Sequence, residues 1–463
     1  MRHKTLDQIF EAGRPADYII ADLKHKTIKL PSWEQQLVKE YEPSLHPVMD
    51  TVRYPDIVDG GKTRAVARIA YNTQKLVVKR MAGLCFGIPA KINFSPADND
   101  KKQQEVATYL QTILERTRIN SVNFDRAKQL FASCEVFTLW YGVKQPTKEY
   151  GFNSDIKLRC RVFSPMNGDE LYPLFDAYGD LIAFSIGYKE HSNDGTTQYF
   201  DTYTATEHRR WVNEGSGWVE DDIEYISTGK IPGVYCWRPE PLWEDTSKQV
   251  YEREWKMSRN GNYLDKNNVP LFAVYADDAM PFGNEPVIND DDRNILQLPT
   301  GGKAEYITWQ QATDALKFHC EELKNTVFEQ LQIPNWSYQD MKAVNTSGEG
   351  LKQLFIDARL KVTEESGRLI EMLDREINVI KSFLKVMLPN DYSDAIDSLK
   401  FDVEIIPYTI DDEKERISNL ALANGNKPMM SQRESIERLG YSTDVDKTLR
   451  EIADEAVTDV MAL

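Results

Sequence analysis

The spacing of hydrophobic residues changes from helical to strand-like and back along this chain. Residues 72–94, 100–118 and the first part of 124–142 predict helices, whereas residues 156–231 alternate hydrophobic and polar positions with the period of a strand. Within that strand-rich region, Asn193-Asp194-Gly195 predicts a tight hairpin turn. The pattern therefore predicts helices followed by a twisted antiparallel sheet.

Two helices flank a short β-rich insert in the second half of the chain. The first is expected to enter through Pro239 and Pro241, because proline suits a helix start, and to run to about Leu264. Residues 265–306 contain short strand patterns and an acidic loop rich in proline, glycine and asparagine. A capping-box pattern over residues 308–311 then predicts the start of the second helix.

A polar loop and a long helix follow these elements. Pro334 ends the second helix, and residues 335–349 are mostly polar. Behind the loop, a hydrophobic stripe with helical spacing runs from Leu351 to Met387, and Pro389 stops it. Residues 401–406 alternate with the period of a strand.

The last section of the chain is helical by pattern, and Ser431 with Glu434 forms a capping box at the start of one helix. The element order predicts the α+β fold class. The length of 463 residues suggests two to four compact units.

The chain is acidic, with 56 Lys and Arg against 73 Asp and Glu and a formal net charge of −17. That balance argues against a protein that coats nucleic acid, which usually carries a basic face. It is compatible with a protein that lets DNA slide past, but the charge taken alone favours the simpler interpretation that it maintains solubility. Five dispersed cysteines without a CxxC pair predict free, buried thiols, and neither a signal peptide nor a membrane span is expected.

Candidate chemistry in the sequence is weak. Residues 60–63, Gly-Gly-Lys-Thr, resemble the end of a phosphate-binding loop, but Asp56 occupies the position of its first glycine, and in a second Gly-Gly-Lys run Ala304 replaces the magnesium-binding hydroxyl residue. The aspartates at 290–292 fit a cation site or a solvated turn, and the basic residues 208–210 fit a phosphate clamp or a solvated strand face. No motif indicates an enzyme, a cofactor or a metal site.

Five stretches, in order along the chain, resemble segments of the portal proteins of tailed bacteriophages. They contain a helix ending in a Gly-x-Pro turn, a helix–strand unit, an Ile-Pro strand with the helix after it, a Ser-Gly-x-x-Leu-Lys signature and a Ser-capped helix with a Gly break. The stretches are Asn72–Phe94, Arg126–Gly142, Gly229–Leu264, Asn345–Phe355 and Lys427–Glu455. Each is degenerate, but their shared order is specific.

The resemblance implies a portal fold and a ring of identical subunits, typically a dodecamer, around a central tunnel. In family terms the chain would contain a wing, two stem helices, a small β clip, a tunnel loop and a short helical crown. The corresponding ranges are 1–240 and 350–410 for the wing, 241–264 and 307–333 for the stem helices, 265–306 for the clip, 334–349 for the tunnel loop and 411–463 for the crown.

The resemblance also implies function and partners. The ring would sit at a capsid vertex of the virion, after assembly in the cytoplasm of the host bacterium, and would form the channel for DNA packaging and ejection. Expected partners are double-stranded DNA passing without sequence specificity, the terminase, a head-completion or tail adaptor protein, and the major capsid and scaffolding proteins. No membrane, cofactor or metal is expected. No catalytic residue is expected either, because ATP hydrolysis would belong to the terminase.

Three groups of residues are candidates for contacts under this resemblance. The tunnel-loop residues expected to face DNA are Lys342, Asn345, Thr346, Ser347 and Gly348. The clip residues expected to bind the adaptor or the terminase are Asp277, Asp278, Asn289, Asp290, Asp291, Asp292 and Arg293. The stem residues expected to contact neighbouring subunits are Trp243, Tyr251, Trp255 and Met257.

These assignments have alternatives. Lys342 fits a positive collar against DNA phosphates or an ordinary surface lysine, and the stem aromatics fit ring contacts or the core of their own chain. The composition, with nine Trp and 22 Tyr, also suits a soluble carbohydrate-active enzyme, although no pattern brings two carboxylates together. A third hypothesis is another virion ring, such as a head–tail connector, although those chains are usually shorter.

Overall fold

The computed structural model describes residues 5–59, 61–192, 195–267, 271–275, 303–307, 313–335 and 356–408, with residues 431, 433, 434, 448–450 and 452. The chain divides into two compact units. The first comprises residues 1–335 and 357–408, and the second comprises residues 336–356 and 409–463. The elements described below belong to the first unit, except where the second is named.

The helices of the described residues include one that is far longer than the others. The α-helices, in chain order, are α1 (Leu6–Ile9), α2 (Ala16–Leu23), α3 (Val38–Tyr41), α4 (Thr73–Phe86), α5 (Lys101–Arg116), α6 (Ile119–Ser133), α7 (Ser247–Asn267), α8 (Thr313–Gln330), α9 (Ile356–Met387) and α10 (Ser393–Ser398). A π-helical turn, Trp33–Leu37, leads directly into α3.

The strands form small antiparallel sheets. They are β1 (Ile57–Asp59), β2 (Lys62–Arg64), β3 (Lys91–Ser95), β4 (Glu135–Thr147), β5 (Ser154–Phe163), β6 (Glu170–Phe175), β7 (Leu181–Ser192), β8 (Gly195–Tyr203), β9 (Glu207–Asn213), β10 (Val219–Tyr225), β11 (Gly233–Trp237), β12 (Leu271–Tyr275), β13 (Lys303–Ile307) and β14 (Lys400–Glu404). Mixed helices and antiparallel sheets confirm the α+β fold class.

The largest sheet confirms the antiparallel region that the alternating pattern predicts. Its strand order is β10-β9-β8-β7-β6, so each strand lies beside its neighbour in sequence. Ser192 pairs with Gly195 at the end of β7 and β8, which is the register of the predicted hairpin. A second sheet, β11-β4-β5, lies against it, and the rings of Phe137 and Phe184 stack between them at 3.7 Å.

The long helix α9 buries the stripe that its sequence predicts. Ala358, Val362, Leu369, Leu373 and Ile377 are all nearly inaccessible to solvent. The helix ends at Met387, two residues before Pro389, as expected from the missing N–H of proline. The part of the predicted stripe before residue 356 lies outside the described residues.

One carboxylate of α9 is buried among apolar side chains and is held by an arginine from α6. Glu376 accepts two hydrogen bonds from the Arg126 guanidinium, at 2.7 and 2.6 Å, and both side chains are at most 1% exposed. Trp140 on β4 donates its indole N–H to the same carboxylate at 3.0 Å. A buried charge requires such pairing, because desolvation costs several kcal/mol per ion.

A second ion pair on α9 lies eleven residues earlier. Glu365 accepts a hydrogen bond from Arg238 at 2.8 Å, and the two side chains are almost fully buried. Arg238 directly follows β11. The two pairs therefore join α9 to both the helix α6 and the sheet β11-β4-β5.

The start of α7 differs from the sequence-based expectation. The predicted helix begins at Pro239–Pro241, whereas α7 begins at Ser247. Asp245 adopts a positive φ of 64°, which an α-helix does not allow, and Thr246 donates its hydroxyl proton to the carbonyl of Trp243 at 2.8 Å. The segment before the helix is therefore a set of turns.

Lys62 and Thr63 of the Gly-Gly-Lys-Thr run lie on β2, which pairs antiparallel with β1. Asp59 pairs with Lys62 and Val58 with Thr63. A phosphate-binding loop instead connects a buried strand to a helix. This arrangement agrees with the sequence-based rejection of a nucleotide site there.

In the second unit, the described residues include one confirmed helix signal. Ser431 donates its backbone N–H to the Glu434 carboxylate at 3.3 Å, and Glu434 donates its N–H to the Ser431 hydroxyl at 3.2 Å. These reciprocal bonds are the predicted capping box.

Candidate functional site

The helices α7 and α8 form an antiparallel pair with a strand pair inserted between them in sequence. Gln249, near the start of α7, bonds Gln330 at the end of α8 at 3.2 Å. Strands β12 and β13 pair from Leu271 with Ile307 to Tyr275 with Lys303. The chain therefore follows the predicted order of helix, small β insert and helix.

An extended segment before α4 is bonded along one face of α7. The backbone N–H groups of Tyr71, Ile69 and Ala67 donate to side-chain oxygens of α7 at 2.7, 2.8 and 2.6 Å, respectively. The acceptors are Glu254, Ser258 and Asn262. Two extended residues span about 6.6 Å and four helical residues about 6 Å, so the two spacings match.

The first step of this ladder contains a buried histidine–glutamate contact. His46 Nδ1 lies 2.8 Å from the Glu254 carboxylate, and its Nε2 lies 2.9 Å from the carbonyl oxygen of Glu40. Both ring nitrogens are therefore within hydrogen-bond distance of an oxygen acceptor. His46 and Glu254 are fully buried, and they fix α7 to the N-terminal segment of its own chain.

The aromatic residues predicted for the stem contact that same N-terminal segment. Trp243 is 1% exposed, donates its indole N–H to Glu40 at 2.8 Å, and precedes α7. The Tyr251 ring lies edge-on to His46 at 5.2 Å. The buried ring of Trp243 therefore belongs to the core of its own chain.

Trp255 and Met257 lie farther along α7. The Trp255 ring lies 5.0 Å from that of Tyr54, in an edge-on arrangement. Trp255, Met257 and the Tyr251 described above are all half-buried in the single chain. They keep accessible surface for a neighbouring subunit, and their contacts with such a subunit remain a prediction.

Two apolar side chains on the helix pair are exposed and were not singled out from the sequence. Phe318 on α8 is 69% exposed and Leu264 on α7 is 53% exposed. Both residues are isolated among polar neighbours and form no periodic hydrophobic pattern. Only the structure therefore shows that they are exposed and do not belong to the buried stripe. They are candidate contacts between copies of this chain.

The other predicted contact residues lie outside the described residues. This applies to the seven clip residues between 277 and 293 and to the five tunnel-loop residues between 342 and 348. Their roles stay predictions.

The basic run that the sequence offered as a phosphate clamp forms ion pairs within its own sheet. The basic run at 208–210 lies on β9, where Arg210 bonds the buried carboxylate of Asp201 at 2.8 and 3.1 Å. Burial acts to raise the pKa of Asp201, but His208 and Arg210 outweigh it and hold that pKa below its usual value. Ion pairing within the sheet favours the structural interpretation of this run over a phosphate clamp.

The cysteines are poor nucleophiles. Burial raises the pKa of Cys134 and Cys236 to about 12 each, so both thiols stay protonated near neutral pH. Within the described ranges, no group of three or more His, Cys, Asp and Glu side chains is placed to hold a metal ion. Among the same residues, no helix combines the length and apolar character that crossing a bilayer requires.

Several solved structures are similar to this chain. The neck of a native GTA particle computed with C12 symmetry matches at a TM-score of 0.41 and 10% identity, covering 90% of this chain and 96% of that one. The neck of an empty GTA particle computed with C6 symmetry matches at 0.39 and 11%, covering 86% and 94%. The virion of a native gene transfer agent particle matches at 0.39 and 9%, covering 92% and 98%. No curated protein sequence matches.

The sequence model of one protein family matches almost the whole chain. That family is described as "Phage portal protein, SPP1 Gp6-like", and the match extends over residues 17–460. It includes the α7–insert–α8 segment and the long helix α9. The chain therefore belongs to the SPP1 Gp6-like family of phage portal proteins.

Proposed function

We propose that this protein is the subunit of a portal ring at one vertex of a phage capsid. The ring, typically of twelve subunits in this family, forms the channel through which DNA is packaged and later ejected. Family membership over residues 17–460 is the observation that supports this function most strongly. It also favours a portal over a carbohydrate-active enzyme or another virion ring.

The helix pair α7–α8 supports the assignment of a stem. Each of these helices is long, 21 and 18 residues, and the ladder on α7 fixes one of its faces to its own chain. Phe318 and Leu264 lie on the same pair and are exposed. In a ring, every stem needs contacts on both sides, and exposed apolar side chains on otherwise polar helices suit that requirement.

The insert and the loops are assigned by family and by chemistry. Residues 265–306 serve as the clip that docks the terminase during packaging and the tail adaptor afterwards, with an acidic segment as the contact surface. Residues 334–349 serve as the tunnel loop, in which Lys342 recurs around the ring as a collar against DNA phosphates. Phosphate contacts do not depend on base sequence, as a packaging channel requires.

The protein acts without chemistry of its own in this proposal. A net charge of −17 limits adhesion of DNA to the ring, because like charges repel the phosphate backbone. The terminase supplies ATP hydrolysis, and the wing contacts the major capsid and scaffolding proteins. The site of action is the capsid vertex of the virion, after assembly in the host cytoplasm.

Replacing Phe318 by Glu is expected to weaken ring assembly without unfolding the subunit. The ring of Phe318 is mostly exposed in the single chain, so the loss falls on contacts between subunits, at about 2 kcal/mol for each interface. Sedimentation velocity should show fewer closed rings and more free subunits at equal concentration.

Tyr178→Glu is the matched control for this variant. Tyr178 is 93% exposed and lies in the turn between β6 and β7, away from the stem. The Tyr178→Glu variant should assemble like the unmodified protein. Unchanged assembly of Phe318→Glu would show that this face of α8 is not a ring contact.

A further inference from the structure

A cavity of about 150 Å³ lies where the start of α4 meets the helices α7 and α8. Thr73, in the first turn of α4, lines one side of the cavity, and Arg253 on α7 and Lys324 on α8 line the others. Asn72 also lines it and is exposed, so solvent reaches the cavity. The residues come from three separate elements of the first unit.

The two charged side chains that line this cavity, Arg253 and Lys324, are both cations. Neither Arg253 nor Lys324 forms an ion pair with a described residue, and no Asp or Glu is among the side chains that line the cavity. This is unusual in a chain with a net charge of −17, in which acidic partners are abundant. The adjacent carboxylate of Glu254 is bonded to His46 and to the Tyr71 N–H instead.

Arg253 is held in place although its charge is unpaired. Its guanidinium lies 4.1 Å from the centre of the Tyr71 ring, which also lines the cavity. Its Nε is buried and has no hydrogen-bond partner in the described chain. Buried polar atoms usually have a partner, so this donor beside the cavity is available to a further group.

The start of α4 adds hydrogen-bond donors that carry partial positive charge. The helix is 14 residues long, and its N-cap residue Asn72 forms no side-chain capping bond. The first N–H groups of such a helix have no acceptor within it, and the helix dipole makes this end positive. Together with two cations from other helices, they form an arrangement that favours an anion.

We propose that this cavity binds an oxyanion of phosphate size between Arg253, Lys324 and the first turn of α4. A volume of about 150 Å³ is enough for a phosphate group, and a chain attached to that phosphate can extend into solvent through the open side of the cavity. Free phosphate and a terminal phosphate of a nucleic acid present the same chemistry. The site goes beyond the portal function and does not depend on ring formation.

Binding of the anion would join α4 to both helices of the pair. Guanidinium and ammonium groups form short, charge-assisted hydrogen bonds with phosphate oxygens, which are about twice as strong as neutral ones. The unbound protein instead keeps two cations close together around one cavity. We therefore expect phosphate to stabilise this junction in proportion to its occupancy.

Thermal unfolding of the full-length protein, titrated with inorganic phosphate at constant ionic strength, tests the proposal. Phosphate should raise the Tm until the site saturates, whereas chloride should not. In Arg253→Gln and Lys324→Gln, the apparent Kd for phosphate should rise about tenfold or more, because each variant removes one charged donor. Each variant is compared with itself without phosphate, so a change in its own stability does not interfere.

Lys317→Gln is the matched control, because Lys317 lies exposed on the same helix as Lys324 and does not line the cavity. It should keep the unmodified affinity. An equal phosphate effect in all variants, or none beyond that of chloride, would overturn the proposal. Competition by a 5′-phosphorylated oligothymidylate, but not by the unphosphorylated one, would identify nucleic-acid ends as the source, and no competition by either would identify free phosphate.

Discussion

Glu376→Leu is expected to lower the free energy of unfolding by about 3–5 kcal/mol, because it leaves the Arg126 guanidinium buried without a counter-charge. It also removes the acceptor for the Trp140 indole N–H. Urea unfolding monitored by tryptophan fluorescence should show a midpoint far below that of the unmodified protein.

The double variant Arg126→Met with Glu376→Leu separates charge from packing. Replacing a whole buried pair by apolar residues is often neutral, so the double variant should recover at least half of the loss. Glu371→Leu, on the same helix with its side chain 61% exposed, should change stability by less than about 0.5 kcal/mol. If the double variant were less stable than Glu376→Leu, the expected recovery would be absent. The ion pair would then contribute net stability to the fold that apolar side chains cannot replace.

Glu254→Ala is expected to lower the free energy of unfolding by about 2–5 kcal/mol, because it leaves two buried groups without their hydrogen-bond acceptor. It leaves the His46 imidazole buried without its carboxylate, and it leaves the backbone N–H of Tyr71 without an acceptor. Because Glu254 begins the ladder along α7, the damage should appear first in the segment 67–71. Hydrogen exchange should be faster at Ile69 and Tyr71 than in the unmodified protein.

Glu252→Ala is the matched control for this change. Glu252 lies on the same helix, is 48% exposed, and pairs only with Lys256 four residues later. Such surface pairs contribute little, so its effect should be within about 0.5 kcal/mol and should not alter exchange at 67–71. Similar losses in both variants would mean that the ladder does not hold α7.

Local patterns predicted much of the fold. The stripe from Ala358 to Leu384 is buried on α9 because helical spacing places these side chains on one face. The alternation over residues 156–231 became sheet strands, because a strand with alternating residues can bury one of its two faces. The antiparallel pairing of Ser192 with Gly195 agrees with a hairpin at this position, although Asn193 and Asp194 lie outside the described residues.

Long-range polar contacts could not be predicted in the same way. Arg126 and Glu376 are 250 residues apart, and neither position differs in type from an exposed charge on an amphipathic helix. The Glu254, Ser258 and Asn262 spacing of four residues is visible in the sequence. Its partner, however, is an irregular segment whose backbone N–H groups carry no sequence signal.

Helix boundaries and stem contacts show a further limit. Pro239 and Pro241 suit a helix start, but the positive φ of Asp245 delays α7 to Ser247. Trp243 therefore precedes the helix and donates a hydrogen bond to Glu40 instead of lying on the helix surface. Hydrophobic type alone does not distinguish a buried aromatic such as Trp243 from an exposed one such as Phe318, whereas the structure does.

The native mass of the purified full-length protein, with negative-stain images of the same sample, tests the portal assignment most directly. Closed rings of about twelve subunits with a central hole are expected, which is the assembly proposed above from family membership. Only monomers or dimers, both alone and in the presence of scaffolding and capsid proteins, would contradict it.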